Sequence, residues 1–340
     1  MPLVRKITIT PVYSLSIWDQ PFEKNLLPFD IISGVQLTDV HHLMESANFD
    51  LWAMEHLSKH DVKELKGWQY ALTHVYEAED HLQSHAEQES KELVHRAFLA
   101  LRIVRPMRQP YASLQAKFLG DTTIDPFSFS HPEQILVVPD SEALNAVRTQ
   151  DAFELRAIAP TVLAAYEAEC RPVLRAIRSM EVGYLSEFPD VQQLLWVTGL
   201  DALFTSREWQ NRGTCVATER IKNFLGADYR IYKDGDLPSY LSVPDVTVGQ
   251  LVKDVYGLRH LFAHGEWPTK DWTERNARQG IGSEAVSYAD MLREASSVIL
   301  RACLAKILKE NRLDLFCDKK RMNAHFAALG LKRGKKSRAI

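Results

Sequence analysis

An arginine and two histidines, Arg259, His260 and His264, crowd into the stretch Asp254-Val-Tyr-Gly-Leu-Arg-His-Leu-Phe-Ala-His-Gly265. An imidazole can take or give a proton near neutral pH. A guanidinium can hold phosphate oxygens and the charge that develops on them. An arginine and a histidine in one cleft therefore suit phosphoryl chemistry. The plainer reading is an arginine paired to an acidic neighbour and a histidine at a helix end. Spacing alone favours the plainer reading, because the two residue types fall five apart by accident often.

The element that would position them is a helix from about Thr247. Val248, Leu251, Val252, Val255, Leu258 and Phe262 recur at helical spacing, the pattern of a buried face. Gly265 suits the position after a helix end, and Pro268 forbids continuation. At about 100° per residue Arg259 falls between Val255 and Phe262, inside the apolar arc. A charge there must be paired, or must face a cleft or a partner subunit. His264 points away from Arg259 on an ideal helix, and His260 shares the face of His264. A long arginine and a loosening helix end could still bring the pair to one cleft.

The wider pattern Tyr256-x-x-Arg259-x-x-x-x-His264-Gly265 resembles the Arg-x(4–6)-His signature of HEPN domains, and most of all their ApeA-like branch. Leu194-Leu-Trp-Val-Thr-Gly-Leu-Asp-Ala-Leu-Phe204 looks like that family's first long helix. Thr218-Glu-Arg-Ile-Lys-Asn-Phe-Leu225 looks like its second. The resemblance covers about residues 150–312.

It implies an all-α bundle that pairs as a homodimer, with the motifs of two subunits forming one composite cleft. The implied activity is metal-independent endoribonuclease action in toxin, abortive-infection or other antiviral defence systems. The 2′-hydroxyl of RNA would attack the adjacent phosphate and leave a 2′,3′-cyclic phosphate. Within that implication His264 is the acid/base residue and Arg259 the phosphate and transition-state ligand. His260 and Tyr256 would contact or orient substrate. The implied partners are RNA, a second copy of the chain, and an antitoxin or sensor; no cofactor or metal is implied. The alternative is a non-catalytic HEPN-type module that binds RNA, nucleotide or protein.

Composition adds bounds. The chain has 340 residues, room for one large or two ordinary domains. Its formal net charge of −3 gives no overall field for polyanions, so nucleic-acid contact must come from a local patch. Cys170, Cys215, Cys303 and Cys317 are far apart and suggest neither a disulfide framework nor a zinc ribbon. A reducing, cytoplasmic setting is the simplest reading. The N-terminus lacks a signal-peptide apolar region, and no run is long enough to span a bilayer. Histidine pairs at His56/His60, His81/His85 and His260/His264 lack a third ligand of metal-site spacing. Glycine-rich nucleotide loops and Gly-x-Ser-x-Gly are absent. Trp267 and Trp272 follow the motif and could stack a base; packing under a loop is the simpler expectation.

In order along the chain, residues 1–140 read as an α+β region of unassigned role, a sensor or regulator at most. Strands are expected over residues 1–17, at Phe29–Leu37 broken at Gly34, at Gly67–Tyr76, at Pro110–Leu119 and at Gln134–Val138. Asp125–Pro132 reads as a loop between the last two. Helices are expected at Asp50–Leu65, with Leu51, Met54, Leu57 and Val62 inward, and at Leu82–Arg105. Residues 150–312 read as a HEPN-like helical bundle, so the chain is mainly helical overall. Pro160 marks a helix start or break, Pro172 a kink, and Asp190 an N-cap. Asp228–Val246 and Trp267–Gly282 read as loops, and Ser287 with Asp290 opens the last long helix. Residues 313–340 form an extension with a basic tail, Lys332 to Arg338, whose affinity for nucleic acid is at best weak.

Overall fold

A computed structural model describes residues 3–12, 14–15, 22–45, 47–80, 84–106, 111–121, 123–130, 146–205, 213–231, 246–269 and 288–330. The expected strand Gln134–Val138, the cap at Ser287, Trp18, Trp209, Trp272 and the basic tail lie outside these residues. The chain divides into two compact units, Met1–Leu163 and Ala164–Ile340.

The first unit runs β1 (Leu3–Val12), β2 (Ser14–Leu15), β3 (Phe29–Ile32), β4 (Val35–Asp39), α1 (His41–Met44), α2 (Ala47–His56) and α3 (Lys59–Lys66). It continues with β5 (Tyr70–Glu79), α4 (His85–Val104), β6 (Ser113–Phe118), β7 (Ile124–Ser130), β8 (Ala146–Val147) and α5 (Thr149–Glu167). Six strands form one antiparallel sheet in the order β3-β4-β5-β1-β6-β7. The ten-residue β1 is central, flanked by β5 and β6. Successive strand residues point to opposite faces. Ile7 and Ile9 accordingly join an apolar core with Phe49, Ala53, Leu65, Trp68 and Leu114.

The alternate residues of β1 make a polar layer with α4. Lys6 donates to Glu87 Oε1 at 2.5 Å and to the Glu79 carbonyl at 2.8 Å. The Thr8 and Ser90 hydroxyls lie 2.7 Å apart, and His74 Nδ1 lies 2.9 Å from Ser90 Oγ. Burial holds the His74 pKa below its ordinary value. Glu87 also closes the start of α4: its side chain accepts the Ser84 N–H at 3.1 Å while Ser84 Oγ accepts the Glu87 N–H at 3.2 Å. That reciprocal pair satisfies two of the helix's orphan donors.

Several expectations need correction. Asp125–Pro132 is not a loop; Ile124–Ser130 pairs along β6, and Pro126 is tolerated at a register shift on an edge strand. Asp50–Leu65 is two helices rather than one, and Leu51 and Met54 are 59% and 69% exposed. Leu57 and Val62 do pack against the core, as expected, beside the buried Phe49, Ala53 and Leu65; Leu51 and Met54 do not. Pro160 lies inside the continuous helix α5 on an exposed position, so water can satisfy the carbonyl its missing N–H leaves free. Pro172 does not kink a helix. The chain breaks at Glu169, with φ +46°, and Pro172 sits in the first turn of the next helix, where an N–H would be orphaned anyway.

The second unit is built from helices α6 (Arg171–Leu185), α7 (Pro189–Phe204), α8 (Gly213–Leu225), α9 (Val248–Ala263), α10 (Tyr288–Lys309), α11 (Leu313–Cys317) and α12 (Lys319–Ala328). Helices α7, α8, α9 and α10 each pack against the other three, and α6 packs on α7 and α10. Asp190 is not the cap of α7: Phe188 holds that position without a side-chain bond, and Asp190 places its charge in the first turn. Val191, in the same first turn, is 36% exposed. Close approach of α6 and α7 depends on Gly183, where a Cβ would lie 2.3 Å from Trp196 Nε1. Among the described residues of this unit the sole strand-type pairing is an isolated bridge, Arg230 to Thr247. No described helix is long and apolar enough to cross a membrane.

The last two helices close one end of the bundle. Phe316, Met322 and Phe326 are buried, and Phe204, Phe224, Phe316 and Phe326 form an aromatic cluster with ring centroids 5.3–6.0 Å apart. Cys170 and Cys317 form a disulfide across 147 residues, which corrects the expectation of unpaired thiols. Their distance in sequence hid them. A cross-link closing so long a loop restricts the unfolded chain strongly, and losing one costs about 2–5 kcal/mol. Cys317→Ser, or a dithiol reductant, is expected to lower the melting temperature of the second unit by about 5–15 °C. A calorimetric scan with and without reductant checks this; coincident scans would show that the bond adds no stability.

Candidate functional site

Helix α9 carries the motif. At its start Gln250 Oε1 accepts the Thr247 N–H at 2.7 Å, which orders the first turn. Val248, Leu251, Val252, Val255, Tyr256 and Leu258 are buried and set its rotation about its axis. A buried polar chain fixes it further. Gln193 of α7 donates to the Val255 carbonyl at 2.9 Å and accepts from Ser296 of α10 at 2.9 Å.

The helix ends as the glycine and proline imply. Ala263 is the last helical residue, His264 the C-cap, and Gly265 turns left-handed at φ +72°. Gly265 N–H donates to the Phe262 carbonyl at 3.0 Å, and Glu266 N–H donates to the Leu261 carbonyl at 2.9 Å. These two bonds make a Schellman ending, which satisfies carbonyls that a bare helix end leaves open. His264 is thus presented by a defined turn rather than a frayed end.

Tyr256 and Arg259, three residues apart on one helix face, both reach Asp201 of α7. The buried Tyr256 donates its hydroxyl to Asp201 Oδ1 at 3.1 Å. Arg259 Nη2 stands 3.6 Å from Asp201 Oδ2, and its side chain is 35% exposed. At that separation the contact is an ion pair and not a hydrogen bond. The guanidinium therefore keeps donors free for an anion arriving from solvent.

Burial raises the Asp201 pKa, outweighing the opposing pull of Arg259, Tyr256 and Lys319. Burial, reinforced by Asp201, also holds the Tyr256 phenol well above its usual pKa. Tyr256 therefore stays a neutral hydrogen-bond donor at physiological pH. Cys303 is fully buried in α10, and burial pushes its thiol pKa up, which disfavours the nucleophilic thiolate.

His264 and His260 are exposed, with ring centroids 4.4 Å apart in an edge-to-face contact. The structure thus joins Tyr256 and Arg259 through Asp201, and joins His260 to His264. No described hydrogen bond or ion pair links Arg259 to His264. Among the described residues no group of three or more His, Cys, Asp or Glu is placed to hold a metal ion.

Two residues of this site were not singled out from sequence. Asp201 is an acid at a helical position flanked by Leu200 and Leu203, the same kind of oddity as Arg259, and that was the available signal. Lys319 lay in the stretch read as an extension. It donates to the carbonyls of Ala202 and Leu203 at 2.5 and 3.1 Å, at the C-terminal end of α7, where a cation is favoured. Arg220 serves the same end, donating to the Phe204 carbonyl at 2.8 Å.

Burial, together with Arg220 and Arg175, lowers the Lys319 pKa to about 8, against the pull of Asp201. The folded protein then releases this proton at lower pH than the unfolded chain, whose lysine titrates near 10.5. Between about pH 8 and 10.5 the unfolded state binds more protons, so this group makes stability rise with pH across that window. Lys319→Met is expected to flatten that rise, seen as a smaller difference in melting temperature between pH 7.5 and pH 9.5. An unchanged difference would refute it.

No known protein family, characterised protein or solved structure matches this chain.

Proposed function

We propose that the chain is a metal-independent endoribonuclease of the HEPN type, a defence or toxin effector. The observation that carries this reading is the arrangement on α9. Arg259 is anchored by Asp201 yet partly open, and His264 is exposed on a fixed turn just beyond the helix. Arg259 would hold the scissile phosphate, and the imidazole of His264 would move the proton. The 2′-oxygen forms its bond to phosphorus as its proton leaves to a base. The bond from phosphorus to the 5′-oxygen breaks as that oxygen is protonated. His260, beside His264, would help orient the RNA, and the buried Tyr256 would act through Asp201.

A homodimer through the helical unit belongs to this reading, as does an antitoxin or sensor partner. Since the chain's own Asp201 pairs Arg259, no partner surface is needed to cover that charge, and the homodimer rests on resemblance. A cytoplasmic site of action also belongs to the reading; the Cys170–Cys317 bond, of a kind that persists in oxidising compartments, weighs against it.

The Arg259–Asp201 pair favours a second reading, in which the motif is structural and the unit is a non-catalytic HEPN-type module that binds RNA, nucleotide or protein. Incubation of the purified protein with total RNA in EDTA, beside the His264→Ala variant, separates the two. Cleavage by wild type alone supports the nuclease. Uncut RNA in both leaves the binding module.

A further inference from the structure

Trp267 follows the motif by three residues and is 67% exposed, whereas Trp68 and Trp196 are 3% and 2% exposed in the cores. It is not packed under a loop. Its ring meets Phe262 edge-to-face, with centroids 5.4 Å apart. One edge-to-face contact leaves an indole face open to solvent.

The backbone on either side of Trp267 is also restricted. The Schellman turn at Gly265 fixes the direction in which the backbone leaves α9. Pro268 follows at once, and a residue before proline is confined to extended conformations. An exposed aromatic with a braced ring and restricted backbone loses little freedom when something stacks on it.

Its neighbours say what that ligand is. His264 and Arg259 supply groups for a phosphate, and three residues of chain, at most about 10 Å, separate Trp267 from His264. Glu266, exposed and next to Trp267 in sequence, adds a negative charge that disfavours a phosphate on the indole itself. The shelf suits an uncharged planar group next to a phosphate, which is a nucleobase. Bases in a duplex are already stacked and paired, so an aromatic shelf selects unpaired ones.

We propose that Trp267 is a base-stacking residue that binds single-stranded RNA beside the phosphate held at Arg259 and His264. The proposal rests on the reading of this site as RNA-binding, and it adds a preference for unpaired RNA.

The test uses the full chain with fluorescently labelled, fully 2′-O-methylated single-stranded RNA, which binds but offers no 2′-hydroxyl for cleavage. Fluorescence anisotropy compares wild type, Trp267→Ala and Trp267→Phe, and repeats each with the duplex of the same sequence. Trp267→Ala is expected to weaken single-strand binding about 5- to 150-fold. Trp267→Phe should retain most of the affinity, and duplex binding should be unaltered. Equal single-strand binding by Trp267→Ala and wild type would overturn the proposal. So would an equal loss on the duplex, or no binding of single-stranded RNA by wild type.

Ordinary RNA separates this from the nuclease reading. Trp267-dependent binding without cleavage leaves the shelf standing and removes the nuclease. Cleavage with an unchanged KM in Trp267→Ala does the reverse.

Discussion

Replacing His264 or Arg259 with alanine is expected to reduce RNA cleavage by about 10²–10⁴-fold while the fold persists. His264 is exposed beyond the end of α9 and Arg259 is partly exposed, so neither truncation opens a cavity in the core. Removing Arg259 does leave Asp201 with Tyr256 as its hydrogen-bonding partner and Lys319 as a nearby charge. Arg259 is one of the groups that lower the Asp201 pKa, so its removal should raise that pKa further. Cleavage should persist in EDTA and should fail on DNA, which lacks the 2′-hydroxyl. His260→Ala should be milder, since its orienting role is placed by its position beside His264 alone. Product analysis by gel and by end-group chemistry checks each point. A His264→Ala variant that cuts like wild type would reduce the motif to a helix-end feature.

The largest expected effect on stability lies in the first unit. Lys6 and Glu87 are an ion pair with side chains 3% and 5% exposed, clamping β1 to the first turn of α4. Lys6→Met leaves the Glu87 carboxylate buried without its cation and removes the donor to the Glu79 carbonyl. Breaking one side of a buried pair costs about 3–5 kcal/mol, a large share of the stability of an ordinary domain. Lys6→Met with Glu87→Leu should recover part of that loss, because two apolar groups leave no orphaned charge. Urea unfolding followed by circular dichroism measures both. A loss under about 1 kcal/mol for Lys6→Met would mean that water reaches Glu87 when the lysine is gone.

The parts of this chain that could be read from sequence are those fixed by local chemistry. Gly265 and Pro268 mark the end of α9 because a left-handed turn and a missing N–H are properties of single residues. The buried face of α9 follows from periodicity, and Arg259 was visible as a charge in the wrong arc. Its partner was not, because Asp201 is brought to it by the packing of two helices, which no local rule encodes. The Cys170–Cys317 bond escaped for the same reason.

Other misreadings were of phase. Helix α2 exposes Leu51 and Met54 because its larger neighbours Phe49 and Trp52 claim the core. Strand β7 was hidden by Pro126, which reads as a breaker until the strand pairs with β6 and takes up the irregularity as an extra residue of its own, Phe127. In α5, Pro160 could pass as a break because the solvent on its side of the helix cannot be seen from sequence.

Covalent topology gives the second unit a property that its packing does not. With Cys170 bonded to Cys317, the chain between them is a closed ring, and helices α6, α7, α8, α9 and α10 all lie on it. One cut by a protease anywhere along that ring opens it but sheds no fragment. The two new ends stay tethered, so Asp201 on α7 and Arg259 on α9 remain parts of one molecule. Only a second cut, or reduction of the bond, would let a piece diffuse away.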